Sequence, residues 1–333
     1  MKFTEYVRIG LSRLRSRVAA ARFCNVLPQE RRDKITTDHE TSAILTRLDA
    51  QLTQHNRLAI FVRYEQSDDL PGCQAAFLAD LARMGWLVWI VDNSPIALST
   101  TWLQDSGCAL YWQRVNRGMC IGAYADSIAL LEQVMESNSS LKPPTLALIN
   151  NSFLPLLPPS ANTILRDLFC IPLPTDHFRG LTESREQAYH LQSYLLVLGA
   201  QAWCSVAARE FWQRCRSLSL REQVISEGEV VFTGTLLAAG FTSEVMIPLS
   251  RLAAMMQTKM GIQDHHPVSP IEHNPYLVYW KELLQLTGIL KKSVLNNSSQ
   301  SRTAAATLAD FIYVADKAGL TGATEAIDRL VRH

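Results

Sequence analysis

From residue 58 onward, apolar positions cluster in short blocks separated by polar or amphipathic stretches. "LAIFVRY" (58–64), "WLVWIVD" (86–92), "CALYWQR" (108–114) and "TLALIN" (145–150) are compact apolar runs, the pattern of strands covered on both faces. Between the first two, "DDLPGCQAAFLADLARMG" has Asp and Pro at its start, Phe77, Leu78, Leu81 and Met84 along it, and Gly85 at its end. These are helix start, face and stop signals. A further helix is predicted from about Gly122 to Met135. Strand, helix, strand in this order predicts an α/β fold with a Rossmann-like, mainly parallel sheet and right-handed crossovers.

The second half is less regular. "SFLPLLPP" (152–159) is proline-rich and predicts a break. "HLQSYLLVLG" (190–199) and "REFWQRC" (209–215) read as helical, and the apolar stretch from Leu195 to Ala208 as a buried helix. "EVVFTGTLLAAGF" (229–241) reads as a helix with an apolar face, "QDHHPVSPIEHNP" (263–275) as a loop, and "NNSSQSRT" (296–303) as a linker. A C-terminal helical pair, broken at Gly319 to Gly322, follows. At the other end, Phe3, Val7, Leu11, Leu14 and Val18 form one helical stripe, with Lys2, Arg8, Arg13, Arg15 and Arg17 nearby. That helix packs on its own domain or a partner, or else makes a peripheral contact with anionic lipid. The expected organisation is an N-terminal helical segment (1–55), a central domain (56–295) with halves 56–152 and 153–295, and a C-terminal helical segment (296–333).

Composition narrows this only modestly. With 333 residues, 47% hydrophobic and 19% charged, the chain is long enough for one large core or two smaller ones. A net charge of +1 gives no reason to expect a nucleic-acid partner. Seven scattered cysteines without a CxxC pair suggest reduced thiols and a cytoplasmic protein, peripheral at the inner membrane face if the basic helix binds lipid. No uncharged apolar run reaches the ~18 residues of a membrane span.

The polar residues collect where a ligand would bind. The four runs end in Tyr64-Glu65, Asp92-Asn93-Ser94, Arg114 to Asn116, and Asn150-Asn151-Ser152. In open α/β sheets the ligand crevice lies at the carboxyl ends of the strands. "RVNRGMCIGAY" (114–124) adds Gly118 and Gly122 at a helix start, where backbone N–H groups with Arg114 and Arg117 suit a diphosphate. Asp264, His265, His266 and His273 lack the spacing of a hydrolytic zinc site. Cys120 has no dedicated base evident for a nucleophilic role.

The order of "LAIFVRYEQ", "WLVWIVDNS", "RVNRGMCIGAY", "LALINNSF", "GLTES", "HLQSYLLVL", "EVVFTGTLLAAGF" and "HNPYLVYWKELL" resembles the rhamnan synthesis protein F family, over about residues 58–296. These are glycosyltransferases of bacterial cell-surface polysaccharide assembly. The resemblance implies a GT-A-like fold with a nucleotide-binding half and a mixed acceptor half. It also implies transfer of rhamnose or a related sugar from a nucleoside-diphosphate donor to a glycan or lipid-linked acceptor, alongside partner glycosyltransferases. On this reading Tyr64 and Asp92 lie near the base and ribose. Arg114, Asn116, Arg117 and Gly118, with Asn150, Asn151 and Ser152, hold the donor. Gly180, Leu181 and Thr182, with Gln192 and Ser193, lie around sugar and acceptor. Glu229 is the first choice of general base, His190, which matches the same sugar and acceptor segment, is a further catalytic candidate, and Asp176 and Glu183 are rival bases.

The chain departs from that family at three carboxylates. Val115 replaces a Glu, Cys120 an Asp and Asn151 an Asp. A divalent ion such as Mg²⁺ or Mn²⁺ wants anionic oxygen ligands, which Asn amide oxygen and thiol replace poorly. Asn151 is therefore at most a weak metal ligand, no cofactor is assigned, and inverting transfer without metal is expected. The alternative is an inactive homologue that binds a glycan, a nucleotide or a partner enzyme.

Overall fold

The computed structural model describes residues 39–215, 218, 220–260 and 274–295. The basic N-terminal stripe, the histidines at 265, 266 and 273, and the C-terminal helical pair lie outside the described residues. The chain forms α1 (His39–Leu52), β1 (Arg57–Arg63), α2 (Gly72–Arg83), β2 (Leu87–Asp92), α3 (Thr100–Asp105), β3 (Leu110–Gln113), α4 (Met119–Ser137) and β4 (Thr145–Asn150). Then come β5 (Phe153–Pro155), α5 (Thr163–Cys170), β6 (His177–Ser184), β7 (His190–Leu191), β8 (Leu195–Leu198), α6 (Ala200–Cys204) and α7 (Val206–Arg214). After these, α8 (Arg221–Gln223) runs without a break through a π-helical stretch (Val224–Glu229) into α9 (Val230–Ala238). The remainder is β9 (Thr242–Ile247), α10 (Leu249–Met260), α11 (Pro275–Val278), α12 (Trp280–Thr287), β10 (Ile289–Lys291) and α13 (Lys292–Leu295).

One sheet has the order β3-β2-β1-β4-β8-β6-β7, with β9 on the other side of β6. β1 pairs in parallel with both β2 and β4, and β2 with β3. β8 runs antiparallel to β4 and to β6, while β9 is parallel to β6. The sheet is therefore mixed, where a mainly parallel one was expected. Because β8 reverses the direction twice over, β6 and β9 point the same way as β1 to β4. The carboxyl ends of six strands thus share one edge, continuous across residue 152.

The apolar runs became strands because both of their faces are covered. Along β1, Leu58, Ile60 and Val62 face one core, and Ala59 and Phe61 the other. The first core is closed by Ile44 and Leu48 of α1, Ile128 and Leu131 of α4, and Trp203, Phe211, Trp212 and Phe232. The second is closed by Phe77 and Leu81 of α2, Leu165 and Phe169 of α5, and Tyr276, Tyr279 and Leu283. Full burial of such side chains contributes about 1.5–3 kcal/mol each.

Three local expectations are corrected. Residues 190–198 form β7 and β8, because Leu195 to Leu198 fill the gap between β4 and β6. Accordingly, the apolar stretch from Leu195 to Ala208 is a strand followed by two helices, divided at Gly199 and Ser205. A Cβ on Gly199 would lie 2.3 Å from the Pro174 carbonyl oxygen, so only glycine allows that turn. The proline-rich break is β5, buried and paired with β10.

Candidate functional site

The shared carboxyl edge is organised around β4. Asn150 accepts from the Ser152 amide (3.1 Å), which turns the chain sharply as the strand ends. Asn151 both accepts from the Tyr64 amide (3.3 Å) and donates to the Tyr64 carbonyl (3.1 Å) and Glu65 Oε1 (2.7 Å). Glu65 is also ion-paired with Lys292. An Asp at 151 could not make these donations and would stand beside Glu65. The amide is thus explained by the clamp it forms between the ends of β1 and β4.

The ladder of β8 with β4 carries residues 190–194 to the same edge, the Asn150 amide donating to the Tyr194 carbonyl (3.3 Å). Glu229 reaches this segment from the last position of the π-helical stretch. Its Oε1 accepts from the Ser193 amide (2.8 Å) and hydroxyl (2.6 Å), and its Oε2 lies 3.6 Å from His190 Nε2. Single-turn π segments often occur where a helix must aim a functional side chain. His190 is 1% exposed, and its Nδ1 lies 2.9 Å from the Ala188 carbonyl, which can only accept. Nδ1 therefore carries the hydrogen, and Nε2 carries one only when the ring is cationic. Nε2 thus faces the Glu229 carboxylate across that 3.6 Å gap. Tyr124 of α4 donates to the Ser193 carbonyl (3.1 Å) and is bonded to Asn150, tying the two parts together.

Lys291, unforeseen in the sequence, completes the cluster. The pairing of Lys291 with Phe153 brings it beside Ser152, whose hydroxyl accepts from Nζ at 2.7 Å. Nζ also sits 3.8 Å from the Tyr194 ring centroid and 5.6 Å from that of Tyr276. Lys291 keeps part of its surface exposed, yet burial pushes its ammonium down to about 7, opposed by Glu229 and Cys120. Burial, with Glu229 next in effect, pushes the Cys120 thiol up to about 11, so it is no ready nucleophile.

Other residues singled out from the sequence fall around this centre or away from it. Gly118 adopts a left-handed φ of 75° as the N-cap of α4, and Met119 follows with φ 52°, the one positive-φ non-glycine among the described residues. Arg114 is held by Asn93 (2.7 Å), the Arg117 carbonyl (3.0 Å) and Asp126 (2.5 Å), so it braces the loop before α4. Asn116, Arg117 and Tyr64 are exposed around the rim. Thr182 and Gln192, expected near the acceptor, are buried and bonded to each other (2.8 Å). Thr182 also meets the Tyr194 hydroxyl (2.9 Å), so the pair supports the ring that carries Lys291.

Asp92 is fully buried. Its carboxylate takes Arg63 (2.8 Å), the Ser94 and Leu98 amides and the Tyr111 hydroxyl, leaving it braced rather than open to a ribose. Asp176 precedes β6 and so lies at the amino edge, away from Glu229; its carboxylate meets His177 at 2.9 Å. A strand of eight residues spans about 26 Å, too far for both to serve one reaction. Glu183 accepts from the Leu249 amide (2.9 Å) and holds the start of α10.

The donor set does not fit Mg²⁺ or Mn²⁺. It offers Asn150, Asn151, Ser152 and a half-buried thiol, while Glu65 is spent on Lys292. Among the described residues no three His, Cys, Asp or Glu side chains gather as a metal-binding group. Nor is any helix among them long and apolar enough to cross a membrane. Neither a family model nor a curated protein matches the chain.

Proposed function

We propose that the protein is a metal-independent, inverting glycosyltransferase, moving rhamnose or a related sugar from a nucleoside-diphosphate donor to a growing surface glycan. The observation that carries this reading is the convergence of Glu229, His190 and Ser193 with the carboxyl end of β4 and the first turn of α4. That edge is where α/β sheets take nucleotides, and the first turn of α4, whose N-terminus is of the kind that receives phosphate, begins there. The likeness to the rhamnan synthesis protein F family supports the choice of sugar and of glycan acceptor.

In the proposed reaction Glu229 Oε2 takes the proton of an acceptor hydroxyl. The freed oxygen pair forms a bond to the anomeric carbon on the face opposite the diphosphate. The carbon–oxygen bond to the diphosphate breaks, and its electron pair leaves with the nucleoside diphosphate. Ser193 holds Glu229 in place, and His190 exchanges the proton onward.

The test is nucleoside diphosphate release from a panel of nucleotide sugars and lipid-linked acceptors, with EDTA or Mg²⁺. Turnover indifferent to EDTA is expected. Glu229→Gln should lower the rate by about 10²- to 10⁴-fold while donor binding survives. An unchanged rate would remove Glu229 as base, and absence of any nucleotide binding would overturn the reading. Donor binding with no turnover would favour the inactive homologue.

A further inference from the structure

Four cations packed into this fold meet an acid, whereas Arg57 is held by the Met84 carbonyl and the Trp86 ring. Arg63 contacts Asp92 at 2.8 Å, Arg114 contacts Asp126 at 2.5 Å, Arg179 contacts Glu244 at 2.7 Å, and Lys292 contacts Glu65. Lys291 differs. Among the described residues no carboxylate lies within ion-pair distance of its Nζ, which has a neutral hydroxyl and the face of Tyr194 instead. A charge drawn out of water without a counter-ion is costly unless one arrives from elsewhere.

Its surroundings indicate what arrives. Glu229, Cys120 and Arg221 all act on Lys291 electrostatically, so the ammonium lies near the proposed base and the first turn of α4. A ligand with more than one negative charge can engage Lys291 and the α4 amides together. Tyr194 and Ser152 fix two sides of the ammonium, leaving it further N–H donors.

We propose that Lys291 is the cation that receives the donor's diphosphate, standing where a divalent ion would otherwise offset the leaving group. This rests on the transferase reading above. As the carbon–oxygen bond breaks, the charge gathering on the departing diphosphate is met by the ammonium and the α4 amides, which costs no metal. Ser152 is then a positioning residue, and the Thr182–Tyr194–Tyr276 hydroxyl chain sets the ring that aims the lysine.

The experiment measures binding of nucleoside diphosphates, the matching nucleosides and inorganic pyrophosphate by calorimetry, in wild type, Lys291→Met, Lys291→Arg and Ser152→Ala, each first shown to keep the wild-type circular dichroism. Lys291→Met should weaken the diphosphates and pyrophosphate by about 10- to 100-fold and leave nucleoside affinity unchanged. Lys291→Arg should recover part of the loss. Ser152→Ala, which keeps the charge and serves if Lys291→Met does not fold, should weaken diphosphates by a few-fold only. Diphosphate affinity indifferent to Lys291, in a protein that still turns over with Glu229, overturns this assignment and leaves the transferase standing. Lys291-dependent pyrophosphate binding without turnover of any nucleotide sugar supports the anion site and overturns the transferase. Binding of neither nucleotide nor pyrophosphate overturns both.

Discussion

Two acid–base clusters lie along the same sheet edge and are built to opposite ends. At the ends of β1 and β2, Arg63 and Asp92 are fully buried and in direct contact. Asp92 also accepts two amides and a tyrosine hydroxyl, and Arg63 donates to Ser94 and to the Asp69 carbonyl (2.7 Å). Every group is matched and nothing is left for a ligand. At the end of β4, Glu229 and Lys291 feel each other's charge but do not touch, and each is instead held by neutral groups. Burial of charge is shared by the two clusters; completion of the hydrogen-bond set is what separates a brace from a site.

The largest expected effect breaks the closed cluster. Arg63→Met leaves Asp92 buried without its cation and should lower unfolding stability by about 3–5 kcal/mol in urea titration. A loss under 1 kcal/mol would mean the amides alone satisfy Asp92, and the contrast would fail. Next, Asn151→Asp removes two donations at the β1–β4 clamp and sets a second acid beside Glu65. Stability should fall by about 1–3 kcal/mol, and added Mg²⁺ should not restore it, alone or with Cys120→Asp. Recovery with Mg²⁺, read as a shift in melting temperature, would show that an ion can be held there.

The smallest effect sharpens the open cluster. Lys291 keeps its proton up to its ordinary 10.5 in the unfolded chain but only to about 7 in the fold. Between those values the unfolded chain binds more protons, so stability rises with pH across the window and declines as pH falls back through it. The slope contributed is about 1.4 kcal/mol per pH unit at most. Subtracting the Lys291→Met profile from wild type should isolate it. Identical profiles would mean the ammonium is not buried as described, whereas Arg63→Met should leave this slope intact.

Much of the fold was readable residue by residue. β1, β2, β3 and β4 stand where the compact apolar runs stood, because strands covered on both faces need apolar side chains at successive positions. Residues 195–198 misled, since four apolar residues satisfy a strand and a helix turn equally. β6 was hidden by Arg179, which is buried only because Glu244 of the neighbouring β9 meets it. Of the site, His190, Ser193 and Glu229 were all singled out from the sequence and stand in contact. Lys291 was not, because its anchor Ser152 lies 139 residues away and "ILKK" looks like any strand leaving the core.

The linear order of residues determined by itself the α/β class, the first four strands and the polar turn at the end of each, because these follow from local periodicity and burial. Only tertiary structure decided which charges meet. Asp92 is closed by Arg63 and Asp176 is carried to the far edge, while Glu229 and Lys291 are brought to a common centre. Charge strength depends on separation and burial, and both are set by strand register and by contacts between distant segments.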